Sequence, residues 1–345
     1  VDYSTAGITG VTAENLADVN AAIDAAEATG ADTASEIQAI VDQVIADLAA
    51  AAAVVAAVDK IEAYAGSNTN PAPELADYST AGITGVTAEN LSDVNAAIDT
   101  AEAMGADTAS EIQAIVDQVI ADLAAAAAVV AAIDKIEAYA GSNTNPAPEL
   151  ADYSTAGITG VTAENLADVN AAIDAAEATG ADTASEIQAI VDQVIADLAA
   201  AAAVVAAVDK IEAYAGSNTN PAPELADYST AGITGVTAEN LTDVNTAIDA
   251  AEAAGADTAS EIQAIVDQVI ADLAAAAAVV AAIEKIEGYA GSNANPTPEV
   301  ADYSTAGITG VTAENLADVN AAIDAAEATG ADTASEIQAI VDQVI

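Results

Sequence analysis

The segment DYSTAGITGVTAENL begins at Asp2, Asp77, Asp152, Asp227 and Asp302, so the chain repeats every 75 residues. This self-similarity constrains the fold more than any local propensity, because each unit must adopt one conformation and pack against neighbours of the same sequence. The 345 residues fall into four full repeats, 1–75, 76–150, 151–225 and 226–300, and a partial fifth, 301–345. Repeats one and three differ only at Val1 against Ala151, whereas the fourth departs most, with Thr242, Glu284 and Gly288 among its changes. Recent tandem duplication leaves this kind of near identity. It favours a gain in length or avidity over catalysis, since an enzyme rarely needs five copies of one site.

Each repeat reads as three helices. In NPAPELADYSTAG, Pro73 suits a first helical turn and Gly82 a left-handed stop, which predicts a short helix over 73–81. In GVTAENLSDVNAAIDTAEAMG, Thr87 is the expected N-cap, with Val86 and Leu91 as a hydrophobic staple and Gly105 as the stop. The third signal is the strongest. Thr33 and Glu36 form a capping box, after which Ile37, Ile40, Val41, Val44, Ile45 and Leu48 keep helical spacing as one buried stripe. Neither proline nor glycine follows until Gly66, so this helix is expected to continue through the alanine tract for about 32 residues, roughly 48 Å at 1.5 Å per residue.

That tract, DLAAAAAVVAAVDKIEAYAG, carries a second stripe: Val54, Val55, Val58, Ile61 and Tyr64. These large residues mark a candidate packing or assembly face. Alanine has high helix propensity and sustains a bare rod, but it also permits close helix approach, so both readings stay open here. The uninterrupted apolar run, residues 48–58, is bracketed by Asp47 and Asp59. A membrane span needs about 20 apolar residues, so no membrane insertion is expected. No signal peptide or initial methionine is visible, as expected for a mature product or fragment.

Composition removes whole classes of function. Fifty-six acids oppose four basic residues, all lysines (Lys60, Lys135, Lys210, Lys285), for a net charge of −52. Such a chain repels nucleic acid and anionic membrane surfaces, so neither is an expected partner. The chain has no histidine and no cysteine. It therefore lacks disulfides, thiolate metal sites and the usual neutral-pH acid/base. Carboxylates are so abundant that a pair of them is poor evidence for acid/base catalysis. No enzymatic activity, catalytic residue or cofactor is expected. Asp107, Asn143 and Asn145 supply oxygen ligands for calcium, yet no EF-hand or nonapeptide loop organises them; a diffuse cation atmosphere is expected instead. Tyr64 and Tyr78 read as packing residues with hydroxyls at the surface.

A resemblance rests on Tyr78, Gly82, Ile83, Gly85, Val86, Asn90, Leu91, Val94, Asn95 and Ile98, with Thr108, Glu111 and Ile112 opening the last helix. This pattern, some three fifths of each repeat, resembles the GA-type three-helix modules of bacterial surface proteins. It is also similar to the alanine-rich acidic repeats of very large secreted bacterial adhesins. The resemblance implies a small three-helix bundle on an extracellular stalk. Residues 46–73 and the strongly negative surface depart from the compact albumin-binding modules, so albumin binding is not carried over.

The expected fold is therefore all-α: tandem three-helix bundles joined by long alanine-rich helices in an elongated array or filament. The expected role is a non-enzymatic stalk or filament-forming spacer of an extracellular or cell-surface bacterial protein, from a marine or halophilic source. Self-association between repeats or chains is the expected partnership. The alternative is a multivalent binding module that adheres to a host or matrix ligand.

Overall fold

The structure, a computed structural model, describes every residue except 1–2, 27–29, 68, 103–104, 143, 178–179, 218, 253–254, 293 and 327–329. Among the described residues every regular element is an α-helix. The chain opens with α1 (Leu16–Ala25) and α2 (Ala34–Tyr64). Three trios of short, medium and long helices follow: α3 (Leu75–Thr80), α4 (Leu91–Ala101) and α5 (Ala109–Tyr139); α6 (Leu150–Thr155), α7 (Leu166–Ala175) and α8 (Ala184–Tyr214); α9 (Leu225–Thr230), α10 (Leu241–Ala250) and α11 (Ala259–Tyr289). The helices α12 (Val300–Thr305), α13 (Leu316–Ala325) and α14 (Ala334–Val344) end the series.

The chain packs as two compact units, Val1–Asp192 and Gln193–Ile345, whose boundary falls inside α8. In the first unit, one core joins Ala57, Ile61 and Ala65 from the end of α2 to Tyr78 of α3, Val94 and Ile98 of α4, and Ile112, Val116 and Val119 from the start of α5. A smaller cluster, Ile8, Val19, Val41 and Val44, lies under α1 and the start of α2. Further along, the repeat-equivalent Ile136, Tyr153, Val169, Ile173, Ile187 and Val191 are again buried. The second unit holds two cores of the same kind, one from Ala207 to Val266 and one from Ala282 to Val341. Ile61, Ile98 and Ile112 are completely enclosed. Each contributes about 1.5–3 kcal/mol relative to exposure.

The packing module is thus offset from the sequence repeat. Every complete core combines the last two turns of one long helix with the next short helix, medium helix and the start of the following long helix. A boundary drawn at residue 75 passes through a core, because Ala57 and Ile61 belong to the first repeat and Tyr78 to the second.

Local chemistry explains the helix ends. At Thr33 the capping box forms as expected: the Thr33 N–H donates to Glu36 Oε2 at 2.9 Å, and the Glu36 N–H donates to Thr33 Oγ1 at 3.3 Å. The short helix starts two residues later than 73, at Leu75, with Glu74 as its cap and the Glu74 N–H donating to Asp77 Oδ2 at 2.7 Å. Pro73 is held outside the helix because Asn95 Nδ2 donates to its carbonyl at 3.0 Å. The medium helix likewise starts at Leu91, not directly after Thr87. Asn90 closes a turn there, accepting the Thr87 N–H at 2.7 Å and donating to the Gly85 carbonyl at 2.9 Å. Gly85 adopts φ of 85°, and a Cβ at that position would sit 2.6 Å from Ile120 Cδ1. The left-handed backbone is what favours glycine at this turn, since the Ile120 methyl is the far end of a flexible side chain and can move aside.

Candidate functional site: the long helix and its junction with the next core

Residues 45–56 of α2 are all exposed, as are 121–131 of α5, the counterparts of 46–56. Within this stretch the first stripe runs out: Val44 is buried, but Leu48, one turn on, is 40% exposed. The candidate face Val54, Val55, Val58, Ile61 and Tyr64 is divided along the helix axis. Val54 and Val55 stand 40% and 59% exposed, Val58 and Tyr64 are half-buried against the next core, and Ile61 is fully inside it. Val54 and Ile61 share a face, being two turns apart, so their different surroundings come from position along the axis. The next core begins only at Ala57.

At the junction, polar groups hold the end of the long helix. Lys60 Nζ pairs with Asp77 Oδ2 at 2.5 Å across 17 residues of sequence. Partial burial pushes the Asp77 carboxyl up, but the Lys60 ammonium and the Glu74 N–H outweigh it and hold the group below its ordinary value. The Tyr78 hydroxyl is not at the surface as expected; it donates to Asn95 Oδ1 at 2.6 Å inside the core. Burial, with the nearby Tyr64 and Asp77, pushes that phenol well above its ordinary range. Asn95 then passes the connection on to Pro73, which ties the linker to α4. The Gly66 N–H donates to the Asp99 carbonyl at 2.9 Å, and Asn70 donates to the Ala63 carbonyl near the end of α2. These junction bonds recur one repeat on through Lys135–Asp152, Tyr153–Asn170, Gly141–Asp174 and Asn145–Ala138.

Sequence reading missed two features of this region. One is Gln113, which clasps the preceding loop: it accepts the Thr84 N–H at 2.8 Å and donates to the Thr84 carbonyl at 3.1 Å. A glutamine on a charged helix face carries no distinguishing sequence signal, apart from its recurrence 29 residues after each threonine of AGITG. The other is Asp99, whose Oδ1 is enclosed without a hydrogen-bond partner, as are Oδ1 of Asp174, Asp249 and Asp324.

Asp107 is exposed, the Asn145 amide is engaged by the Ala138 carbonyl, and Asn143 lies outside the described residues. Among the described residues, no three acids converge in a way that could hold a metal ion. The concavities are surface grooves. One, of about 660 Å³, lies along α6 and is lined by Glu149, Leu150, Tyr153, Ser154, Ile158 and Val161; its counterpart in the second unit is lined by the equivalent residues along α9. A smaller groove of about 420 Å³ recurs between the medium and long helices, as at Ala97, Glu111, Ile115 and Gln118.

The four long helices are also long and apolar enough, by length and composition alone, to cross a membrane, with a mean hydropathy of 1.9 over their most apolar eighteen residues. The sequence expectation against a span rested on the shorter uninterrupted run. Comparison of the chain with family models, curated proteins and solved structures finds no match.

Proposed function

We propose that this chain is a non-enzymatic structural repeat region of an extracellular bacterial surface protein, a stalk or filament-forming spacer in which three-helix bundles are linked through alanine-rich helices. The observation that supports this reading is the junction itself. Its polar and apolar groups join a long helix to the following core, and the arrangement recurs through Ile61, Ile136, Ile211 and Ile286. Repetition of that kind makes stability depend on neighbours, as suits a spacer. The surface of −52 net charge keeps chains soluble and apart, and diffuse counter-ions are its expected cation partners. Where chains do assemble, the uncharged exposed face at Val54 and Val55 is the surface left for it.

A membrane-spanning role is disfavoured by the acids within the apolar window. A window of eighteen residues that apolar includes both Asp42 and Asp47. Asp47, near the middle of that window, costs about 2.5–3.5 kcal/mol on insertion, against gains of only about 0.3–0.6 kcal/mol for each valine, isoleucine or leucine, while Asp42 lies nearer the window's end and costs less.

The alternative, a multivalent binding module, draws on the recurring groove beside exposed Leu150 and Leu225. A series of proteins with one to four repeats separates the two. A spacer gains thermal stability with each repeat and stays inert towards host and matrix proteins. Saturable binding by a single repeat, with avidity that grows with repeat number, supports the binding module and overturns the spacer.

A further inference from the structure

The smaller groove between the medium and long helices combines an apolar floor with acidic ends. Ala97 of α4 and Ala114, Ile115 and Val119 of α5 line it. Val119 belongs to the enclosed core, and Ala97 and Ile115 pack against that core, so the floor of the groove is the core reached from solvent. Its volume of about 420 Å³ lies within the range of ligand-binding clefts. Glu111 and Asp122 mark the two ends of its α5 wall, three helical turns or about 16 Å apart, and both are exposed. Each carboxylate accepts from a neutral group, Glu111 from Thr108 Oγ1 at 2.7 Å and Asp122 from Gln118 Nε2 at 2.7 Å, so neither charge is compensated. Residues 97–122 hold no lysine or arginine at all. The same lining recurs in the second unit at Ala247, Glu261, Ile265 and Asp272, with the same two carboxylate bonds.

Shape and charge together specify an occupant. The walls are two helices, and the small Ala97 and Ala114 let a third helix approach closely, its side-chain ridges set into the groove. Charge decides the sequence of that helix. A second copy of this chain brings no unpaired lysine, because all four are bonded to aspartates at 2.5–2.6 Å: Lys60 to Asp77, Lys135 to Asp152, Lys210 to Asp227 and Lys285 to Asp302. It would add carboxylates to a groove that already holds two. We infer that the groove is a docking site for a cationic amphipathic helix of another polypeptide. Its apolar stripe lies on Ala97 and Ile115, and lysines or arginines about three turns apart meet Glu111 and Asp122. The inference is independent of the choice between spacer and binding module, since a short helix seated in one groove bridges nothing and leaves the helix junctions untouched.

The full 345-residue chain has no cysteine, so a single introduced thiol reports one groove among near-identical repeats. Ala114→Cys places it in the groove, and Ala126→Cys places it on the exposed alanine tract of the same helix. The probe is a peptide of about 18 residues, five turns of leucine, alanine and lysine with one cysteine on its leucine face. A scrambled peptide of the same composition carries the same charge without the stripe. At about 0.15 M salt, which limits diffuse attraction to about 8 Å, the chain should bind the first peptide saturably and the peptide should become helical. Disulfide capture should run about tenfold or more faster at Ala114→Cys than at Ala126→Cys, each rate normalised to a small neutral disulfide, and the scrambled peptide should show no such preference. Adding Asp122→Asn should slow capture about two- to fivefold. Asp117→Asn, the same charge change on α5 outside the groove lining, should leave it unaltered. Equal capture at the two cysteines, an equal rate for the scrambled peptide, equal loss from both aspartate variants or a failure to saturate would reduce the binding to diffuse attraction and overturn the inference. Disulfide-linked chain dimers at Ala114→Cys that excess peptide does not suppress would give the groove to a second copy and overturn the occupant. The gain of thermal stability with repeat number tests the spacer separately and is unaffected by any of these outcomes.

Discussion

Asn95 connects three parts of the chain at once, accepting from Tyr78 of α3 and donating to Pro73 of the linker while standing on α4. Removing the phenol hydroxyl in Tyr78→Phe leaves the Asn95 carbonyl oxygen enclosed and unpaired. A loss of about 1–3 kcal/mol is expected for that one core, read as faster amide exchange in α3 and α4 and no change in the other cores. The same tyrosine gives an alkaline signature. A phenol whose ionisation is pushed up on folding contributes stability that is complete below the unfolded value near 10 and is lost as pH rises towards the folded value. Absorbance titration should therefore show Tyr78, Tyr153, Tyr228 and Tyr303 ionising above the ordinary phenol range, together with unfolding. Asp77 has the opposite sign. Its carboxyl is held below the ordinary 3.8, so the Lys60 pair contributes at neutral pH and is lost as pH falls below that value. The effect is small, since the Lys60 side chain is 41% exposed and screened by water. Comparison with Lys60→Met isolates it from the general relief of repulsion as other acids protonate.

At the scale of the element, the long helix has two roles along one axis. Residues 45–56 touch water on every side, whereas Ala57 and Ile61 are core. Glycine at Ala51 should cost about 1 kcal/mol of local helix stability, from backbone entropy alone, and leave both flanking cores intact by hydrogen exchange. Leucine at Ala57, which is only 7% exposed, should instead disturb the next core by about 1–3 kcal/mol through overpacking. The division also settles how to test assembly. Val58 is half-buried against the core, so lysine there confounds folding with association. Lysines at Val54 and Val55 change only an exposed face, and are expected to leave thermal stability within about 0.5 kcal/mol while abolishing any filament that uses it.

For the whole molecule, 56 acids against four lysines make salt the dominant solution variable. Raising ionic strength from about 0.01 to 0.15 M shortens the screening length from about 30 to 8 Å, and the thermal midpoint should rise. An unchanged midpoint across that range would remove self-repulsion as a factor in stability. Much of the architecture was legible beforehand because it depends on short-range chemistry. The Thr33–Glu36 capping box, the unbroken run to Gly66 and the glycine of the AGITG loop each act within a few residues, and they specify where the long helix begins, how far it runs and where the chain turns. The 75-residue period was equally explicit. The phase of the packing module was not. Nothing local to Ile61 says that it meets Tyr78 and Ile98, or that Val54 on the same face meets only water. That outcome depends on the linker folding α3 and α4 back onto the last turns of α2, held by Pro73–Asn95, Lys60–Asp77 and Gly66–Asp99. Sequence by itself therefore determined the helices and their repetition. The tertiary structure alone decided that each complete core is shared by two successive repeats, because burial is a property of which surfaces meet and not of the order in which residues are written.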